Sequence, residues 1–484
     1  MLLEISILLC LANAALIQAA TASLSLNSIL SLNFQHLPSP SSFSLPVSQN
    51  LTITVAYCSS ATVSTRFFVT NNSAVDNPGP DGGEDVYEIA VEQGLGTFSA
   101  VFLEGGVLAI DGASSDDFSF EIGASDSGPM HEVLPVFPLL GDTTSNQALL
   151  FSPPFDPPVF SDPSYPNYTL PGPSLSPPSP PDSSPNFTLL LAPTSPQTLT
   201  TLPQTACMMS SQTSSGNIAN ESLWLRDEEG WRTQWIMAGL SPQTNYTAYV
   251  IQDSTKLSGP MYFVTKSAVF ACPLAAFLPY CPGVTYAIPL PSPDNSDLSI
   301  YDSTNLPSAI SDTLTAYFTN FTTTLTTQAC GRDYYSPLQT CADCQRAYFR
   351  WLCSVSFPRC GEQSPSTITS TTSSPTQTSL STDITTIPSP TSALQPQSPT
   401  SVPRNSAFTS LNMSYSVLLP CIETCQAADR ACPNFLGFAC PLARFNANES
   451  YGVGYIDGAE PDGQGLGVPG QAQDQWGNVW CNFV

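Results

Sequence analysis

The chain has little positive charge. Twelve Lys and Arg stand against 38 Asp and Glu over 484 residues, a formal net charge of −26. Between the start and Arg226 the single basic side chain is Arg66. This excludes nucleic acid as a partner, because phosphate neutralisation needs clustered Lys and Arg. Histidine is nearly missing as well, present only as His36 and His131. His131 lies in "GPMHEVLP", where Pro135 stands at the position that an H-E-x-x-H site gives to its second imidazole. No G-x-S-x-G occurs. So many carboxylates form pairs by chance that no glycosidase-like acid pair stands out. The chain therefore reads as no enzyme: no catalytic residues, no metal ligands and no cofactor-binding motif assemble in it. An internal membrane span is also lacking. The uncharged stretch between Lys266 and Asp294 contains Pro273, Pro279, Pro282 and Pro289, and prolines remove helix hydrogen bonds. The final WGNVWCNFV offers no hydrophobic tail for a GPI signal.

What is present points to export. MLLEISILLCLANAALIQAATAS carries an apolar run from Ile5 to Ile17, then Ala20 and Ala22 as an A-x-A cleavage pattern. We read residues 1–22 as a signal peptide. The start has Glu4 and no Lys or Arg before the run, so an uncleaved N-terminal anchor is the alternative. N-x-S/T sequons begin at Asn50, Asn71, Asn167, Asn186, Asn220, Asn245, Asn320, Asn412 and Asn448, and they are read as N-glycosylation sites. Of 15 cysteines, Cys10 lies in the leader, leaving an even number suited to disulfides.

The chain divides by composition. Residues 23–150 alternate apolar and polar side chains ("LTITVAY", "TRFFVT", "VYEIAVE") between Gly- and Asp-rich turns, the pattern of a β-sandwich-like domain. Residues 151–185 are a Pro/Ser-rich linker or long loop. Residues 186–267 return to β alternation. There Leu240-x-Pro242-x-Thr244-x-Tyr246 resembles the tyrosine corner of a fibronectin-III-like sandwich. Cysteines concentrate in 268–360 and 409–484. Between them, 361–408 is nearly all Ser, Thr, Pro and Gln, composition expected of a disordered insert.

Cys421, Cys425, Ala428 and Cys432 stand at i, i+4, i+7 and i+11 and share one helix face. Pro420 opens this helix, Glu423 and Arg430 match its dipole, and Pro433 ends it. In "CADCQRAYFRWLCSVSFPRC" a second helix puts Cys341, Cys344, Tyr348 and Leu352 on one face, Arg346 and Arg350 on another. The C-x-x-C at Cys341 and Cys344 could be a redox pair, and Cys341, Cys344, Cys353 and Cys360 could hold zinc. In an oxidising compartment disulfides are favoured, so Cys330, Cys341, Cys344, Cys353, Cys360, Cys421, Cys425, Cys432, Cys440 and Cys481 are read as structural, with pairing open. The loops "DGASSDD" and "DGAEPDG" lack EF-hand spacing and read as solvated turns.

The blocks "TCADCQRAYFRWLCSVSFPRC" and "LLPCIETCQAADRACPNFLGFACP", with the leader, the sequons and a final aromatic-Cys tail, resemble the fungal stretch-activated calcium-channel component family, named for mating-pheromone-induced death and calcium-influx defects. The resemblance implies β-rich sandwich domains followed by an α-helical, disulfide-rich Frizzled-like cysteine-rich domain. It implies an accessory subunit of a large four-repeat pore-forming calcium channel, supporting calcium influx under stretch, stress or pheromone. The chain would then lie at the extracellular face of the plasma membrane or in the endoplasmic reticulum membrane, held by that partner or by an N-terminal anchor. A cell-surface adhesion or ligand-binding glycoprotein with no channel role is the alternative.

Overall fold

The computed structural model describes residues 22–60, 65–72, 75–83, 85–112, 118–159, 169–195, 199–293, 298–328, 335–362, 394–442, 445, 447–453 and 481–484. Two compact units are present, 1–132 with 202–208, and 133–201 with 209–484. The expected leader and the core of the Ser/Thr-rich insert lie outside the described residues.

The first unit is a sandwich of two five-stranded sheets. One sheet is centred on Gly106–Asp111, flanked by Ser42–Leu45 and Arg66–Thr70. The other is centred on Ser48–Tyr57, flanked by Ser119–Ser125 and Leu95–Phe102. Alternation sends Leu51, Ile53 and Val55 into a core with Phe67, Phe102, Leu108 and Phe120. Thr54 points the other way, yet it is buried, because His131 covers it and its hydroxyl meets His131 Nδ1 at 2.8 Å. The chain leaves this unit after residue 132 and returns at 202–208.

The second unit holds another sandwich. Leu139–Thr143, Gln147–Phe151, Gly230–Ala238 and Asn217–Asp227 form one sheet in that order. Phe187–Pro193, Asn245–Gln252 and Lys256–Val264 belong to the other, a four-stranded sheet in which Asn245–Gln252 lies between the other two. Read as A to G, this is an ABED sheet facing a CFG sheet, the arrangement of a constant-type immunoglobulin sandwich. Tyr246 makes the corner: its hydroxyl accepts the Ser241 N–H at 2.9 Å. Strands A and B come from residues that composition grouped with the first sandwich, so the crossing lies near 132 rather than 150. Alternating strands look alike in either sandwich, and only their partners assign them. The Pro/Ser-rich segment after 151 is accordingly the B-to-C connection inside one sandwich, tied down where Phe155 bridges Trp231.

Beyond residue 267 the chain mixes small sheets with helices. Ser308–Gln328, Cys341–Ser356 and Ile422–Ala431 are the helices of ten or more residues among those described. Arg359–Gly361, Tyr415–Leu418 and Leu394–Gln397 form a three-stranded sheet. The whole protein is thus β-rich, with few helices and many disulfides. Leu394–Gln397 pairs with Tyr415–Leu418, and Phe408 is 5% exposed beside Phe357. The expected insert is therefore ordered over 394–408. The isolated apolar residues there, Leu394 and Phe408, find partners that composition averages hide. The outer face of the ABED sheet is buried as well: Leu149, Phe151, Trp224 and Ile236 pack on Leu274, Ala287, Ile300 and Leu411. Sandwich and cysteine-rich segment thereby share one core.

Candidate functional site

The two expected cysteine helices form a bridged pair. Cys341–Ser356 starts in a capping box: the Thr340 hydroxyl accepts from Asp343 N–H while the Asp343 carboxylate accepts from Thr340 N–H at 2.7 Å. Ile422–Ala431 lies between Cys421 and Cys432, which stand as its caps. Cys421, Cys425, Ala428 and Cys432 are all buried. Each cysteine of that stripe reaches a different element: Cys421 to Cys481, Cys425 to Cys440, Cys432 to Cys344. Two further bridges, Cys281–Cys353 and Cys272–Cys360, fasten the 341–356 helix and the strand after it to the proline-rich loop. An aromatic cluster lies over the pair: Phe321 stacks on Tyr348 at 3.6 Å, and Phe438 packs edge-on against both Tyr348 and Trp351. Phe435, Phe445, Leu442 and Val453 are exposed in the segment that follows.

Charge fixes this module to the sandwich. Asp142 is buried at 2% exposure, and its carboxylate accepts from Arg359 Nε at 2.8 Å and from Ala287 N–H at 3.2 Å. Lys266 Nζ stands 3.5 Å from its other oxygen. Burial would raise the Asp142 carboxyl; the charges of Arg359 and Lys266 outweigh it and hold the group below the usual carboxylate range. At the 227–230 hairpin, Glu228 sits 3.3 Å from Arg346 and 3.4 Å from Arg350. Asn482 is bound inside: its Nδ2 donates to Ser354 O, Phe357 O and the Tyr286 hydroxyl at 2.9–3.1 Å. Burial pushes the Tyr286 phenol well up.

The arrangement answers the alternatives for the cysteines. Cys344 is bonded to Cys432, and Cys341 is itself disulfide-bonded, so the C-x-x-C is no dithiol pair. Cys353 and Cys360 also have other partners, which dissolves the four-cysteine zinc set. Cys330 lies outside the described residues. The two described metal-like groupings, Cys58–Glu121–Cys207 and Cys421–Glu423–Cys481, each contain a disulfide, whose sulfurs are not thiolate ligands. Among the sequons, Asn50, Asn186, Asn220, Asn245, Asn320 and Asn412 are exposed and Asn71 is half-buried. Asn167 and the Asn448 side chain lie outside the description. Sequence reading missed Asp142, Glu228, Tyr286 and Asn482, because each acts through a partner far along the chain. No described helix is long and apolar enough to cross a membrane.

A family model described as "Stretch-activated Ca2+-permeable channel component", Mid1, matches residues 44–470. The stretch-activated cation channel MID1 of Cryptococcus neoformans var. grubii is 37% identical over 407 residues, covering 78% of this chain and 64% of the relative. Stretch-activated cation channel yam8 of Schizosaccharomyces pombe is 28% identical over 246 residues, 49% of this chain and 44% of yam8. MID1 of Saccharomyces cerevisiae is 29% identical over 223 residues, 43% of this chain and 35% of that relative. The chain thus spans less than two thirds of the length of each. A two-domain fibronectin type-III segment of chicken tenascin aligns over 46% of the chain at 14% identity, with a TM-score of only 0.14, which carries no weight. The family is one of channel components and not of enzymes, and with the match running through both compact units this chain belongs to the Mid1 family of stretch-activated Ca2+-permeable channel components.

Proposed function

We propose that the chain is an accessory subunit of a plasma-membrane calcium channel, exposed at the extracellular face and supporting calcium influx in response to stretch, stress or pheromone. The observation that carries this is the family match over 44–470, which takes in the bridged helices and the sandwich that packs on the cysteine-rich segment. The partner is a large four-repeat pore-forming subunit. The bridged helix pair, a Frizzled-like module in this reading, is the docking element, and the exposed sequons carry N-glycans. Export supplies the oxidising compartment that its disulfides need.

The test is co-purification. A tagged chain solubilised from fungal membranes should bring the four-repeat channel with it, and cells lacking the chain should lose calcium uptake on hypotonic swelling. Normal uptake in such cells, with no channel recovered and cell adhesion altered, would instead establish the adhesion-glycoprotein reading.

A further inference from the structure

We propose that Cys58–Cys207 is a thiol–disulfide exchange site, a clasp that an uncharged dithiol opens before any other bridge. Three observations converge on it. First, both of its cysteines are partly exposed, whereas each other described bridge has at least one cysteine under 9% exposed. Exchange requires an attacking thiolate to reach a sulfur, so access selects this bond. Second, its place in the chain is unusual. The 202–208 segment is an excursion between the C and D strands of the second sandwich, and it is counted in the first unit. The bridge locks it to Cys58, at the end of the central strand Ser48–Tyr57. Alongside the bridge, the Thr205 hydroxyl donates to Tyr57 O at 2.6 Å and Gln204 N–H to Gln93 O at 2.7 Å. Ordering a seven-residue excursion costs conformational entropy that such hydrogen bonds offset only in part, so the covalent bond decides whether it stays. Third, a carboxylate oxygen of Glu121 lies within 4.8 Å of both sulfurs, and its other contacts are His131 Nε2 at 3.2 Å and Ser31 Oγ at 2.9 Å. That negative group opposes every attacking thiolate and opposes most those that also carry carboxylates, so uncharged dithiols are the class it discriminates against least.

The step balances without a further reactant. One thiolate of the dithiol attacks a bridge sulfur, the S–S bond breaks, and the other cysteine leaves as thiolate. The second thiol of the reagent then closes on the mixed disulfide, so the dithiol is oxidised by two electrons and Cys58 and Cys207 are reduced. Opened, the clasp no longer holds 202–208 covalently, and the segment depends on its hydrogen bonds and packing.

The test uses the full glycosylated chain, folded, treated with dithiothreitol and then with isotope-coded maleimide. Cys58 and Cys207 should label first, by about an order of magnitude in rate. Simultaneous labelling of all cysteines, or earlier labelling of the 341–432 region, would overturn the proposal. Glu121→Gln separates this chemistry from a merely structural role. It should speed opening by glutathione several-fold relative to opening by dithiothreitol, and an unchanged ratio would count against the carboxylate gate. Partial proteolysis of the reduced, alkylated chain should show new cuts between Leu199 and Ser210; continued protection there would show that the bridge does not hold the segment.

Discussion

Asp142 and Tyr246 are single residues whose loss should be felt at a distance. Asp142→Asn removes the charge that balances Arg359, itself 5% exposed, and leaves an uncompensated cation in the core. Such a break costs about 3–5 kcal/mol. The acid dependence follows from the same pair. The folded carboxyl titrates below its ordinary value, so its contribution is complete above the ordinary carboxylate range. It fades as pH falls through the lowered folded value. Urea midpoints should therefore drop toward acid pH in the natural chain, and the Asn variant should start lower and change less. Equal acid slopes in the two would contradict the assignment. Tyr246→Phe should cost about 1–2 kcal/mol, since it strands the Ser241 N–H, and a thermal melt of the whole chain reads it. Of the two, Tyr246 was legible, because its corner is written into seven neighbouring residues. Asp142 was not: Arg359 is 217 positions away, and no local pattern marks a pairing of that range.

Elements differ in legibility for the same reason. The cysteine helices were readable from spacing, caps and prolines close together in the chain. The Ser308–Gln328 helix has no counterpart in the sequence reading; it is rich in threonine, a β-branched and weak helix former. One buried face, Ile310, Leu314, Phe318 and Leu325, holds it. The hydroxyls of Thr313, Thr319, Thr323, Thr324 and Thr327 donate to carbonyls four residues back, which satisfies them without strengthening the helix. The spacing of Ile310, Leu314, Phe318 and Leu325 is the signal the sequence holds for it. Phe318→Ala should lose about 3–5 kcal/mol, enough to lower secretion visibly. The Ser/Thr-rich insert makes a second test at this scale. Excising 366–390 leaves the Glu362 bond to Ser267 and the strand Leu394–Gln397 intact. Stability should then change by under about 1 kcal/mol, the scale of altered loop closure. Replacing all of 361–408 removes Gly361 from its sheet and Phe408 from the core. That version should be retained in the endoplasmic reticulum. Secretion of both at equal yield would show that 394–408 adds nothing to folding.

At the scale of the molecule, residues 481–484 connect parts of the second unit that lie far apart in sequence. Cys481 bridges Cys421 at the start of the 422–431 helix, across 60 positions. Asn482 donates into the end of the 341–356 helix and to Tyr286, whose own hydroxyl donates to Phe357 O at 2.9 Å. One short tail thereby fixes both helices and the proline-rich loop, which in turn packs on the ABED sheet. Closing so long a loop with a disulfide stabilises by about 2–5 kcal/mol, and the buried amide adds its hydrogen bonds. Cys421→Ser should consequently lower secretion and swelling-induced calcium uptake together. Removing 481–484 should lower them further, because it takes the amide along with the sulfur. Asn482→Ala separates the two contributions: the bridge can form, so the fall in the melting midpoint should be smaller than for Cys421→Ser. A chelator should leave all of these proteins unchanged, since the sulfurs are bonded to one another. The measurements are thermal midpoints of secreted protein and radiocalcium uptake in cells expressing each variant at matched surface level. If Cys421→Ser reached the surface with normal stability and uptake, the tail would be no part of what holds the helix pair in its working form. If stability were normal and uptake alone fell, the tail would belong to the channel-facing surface itself.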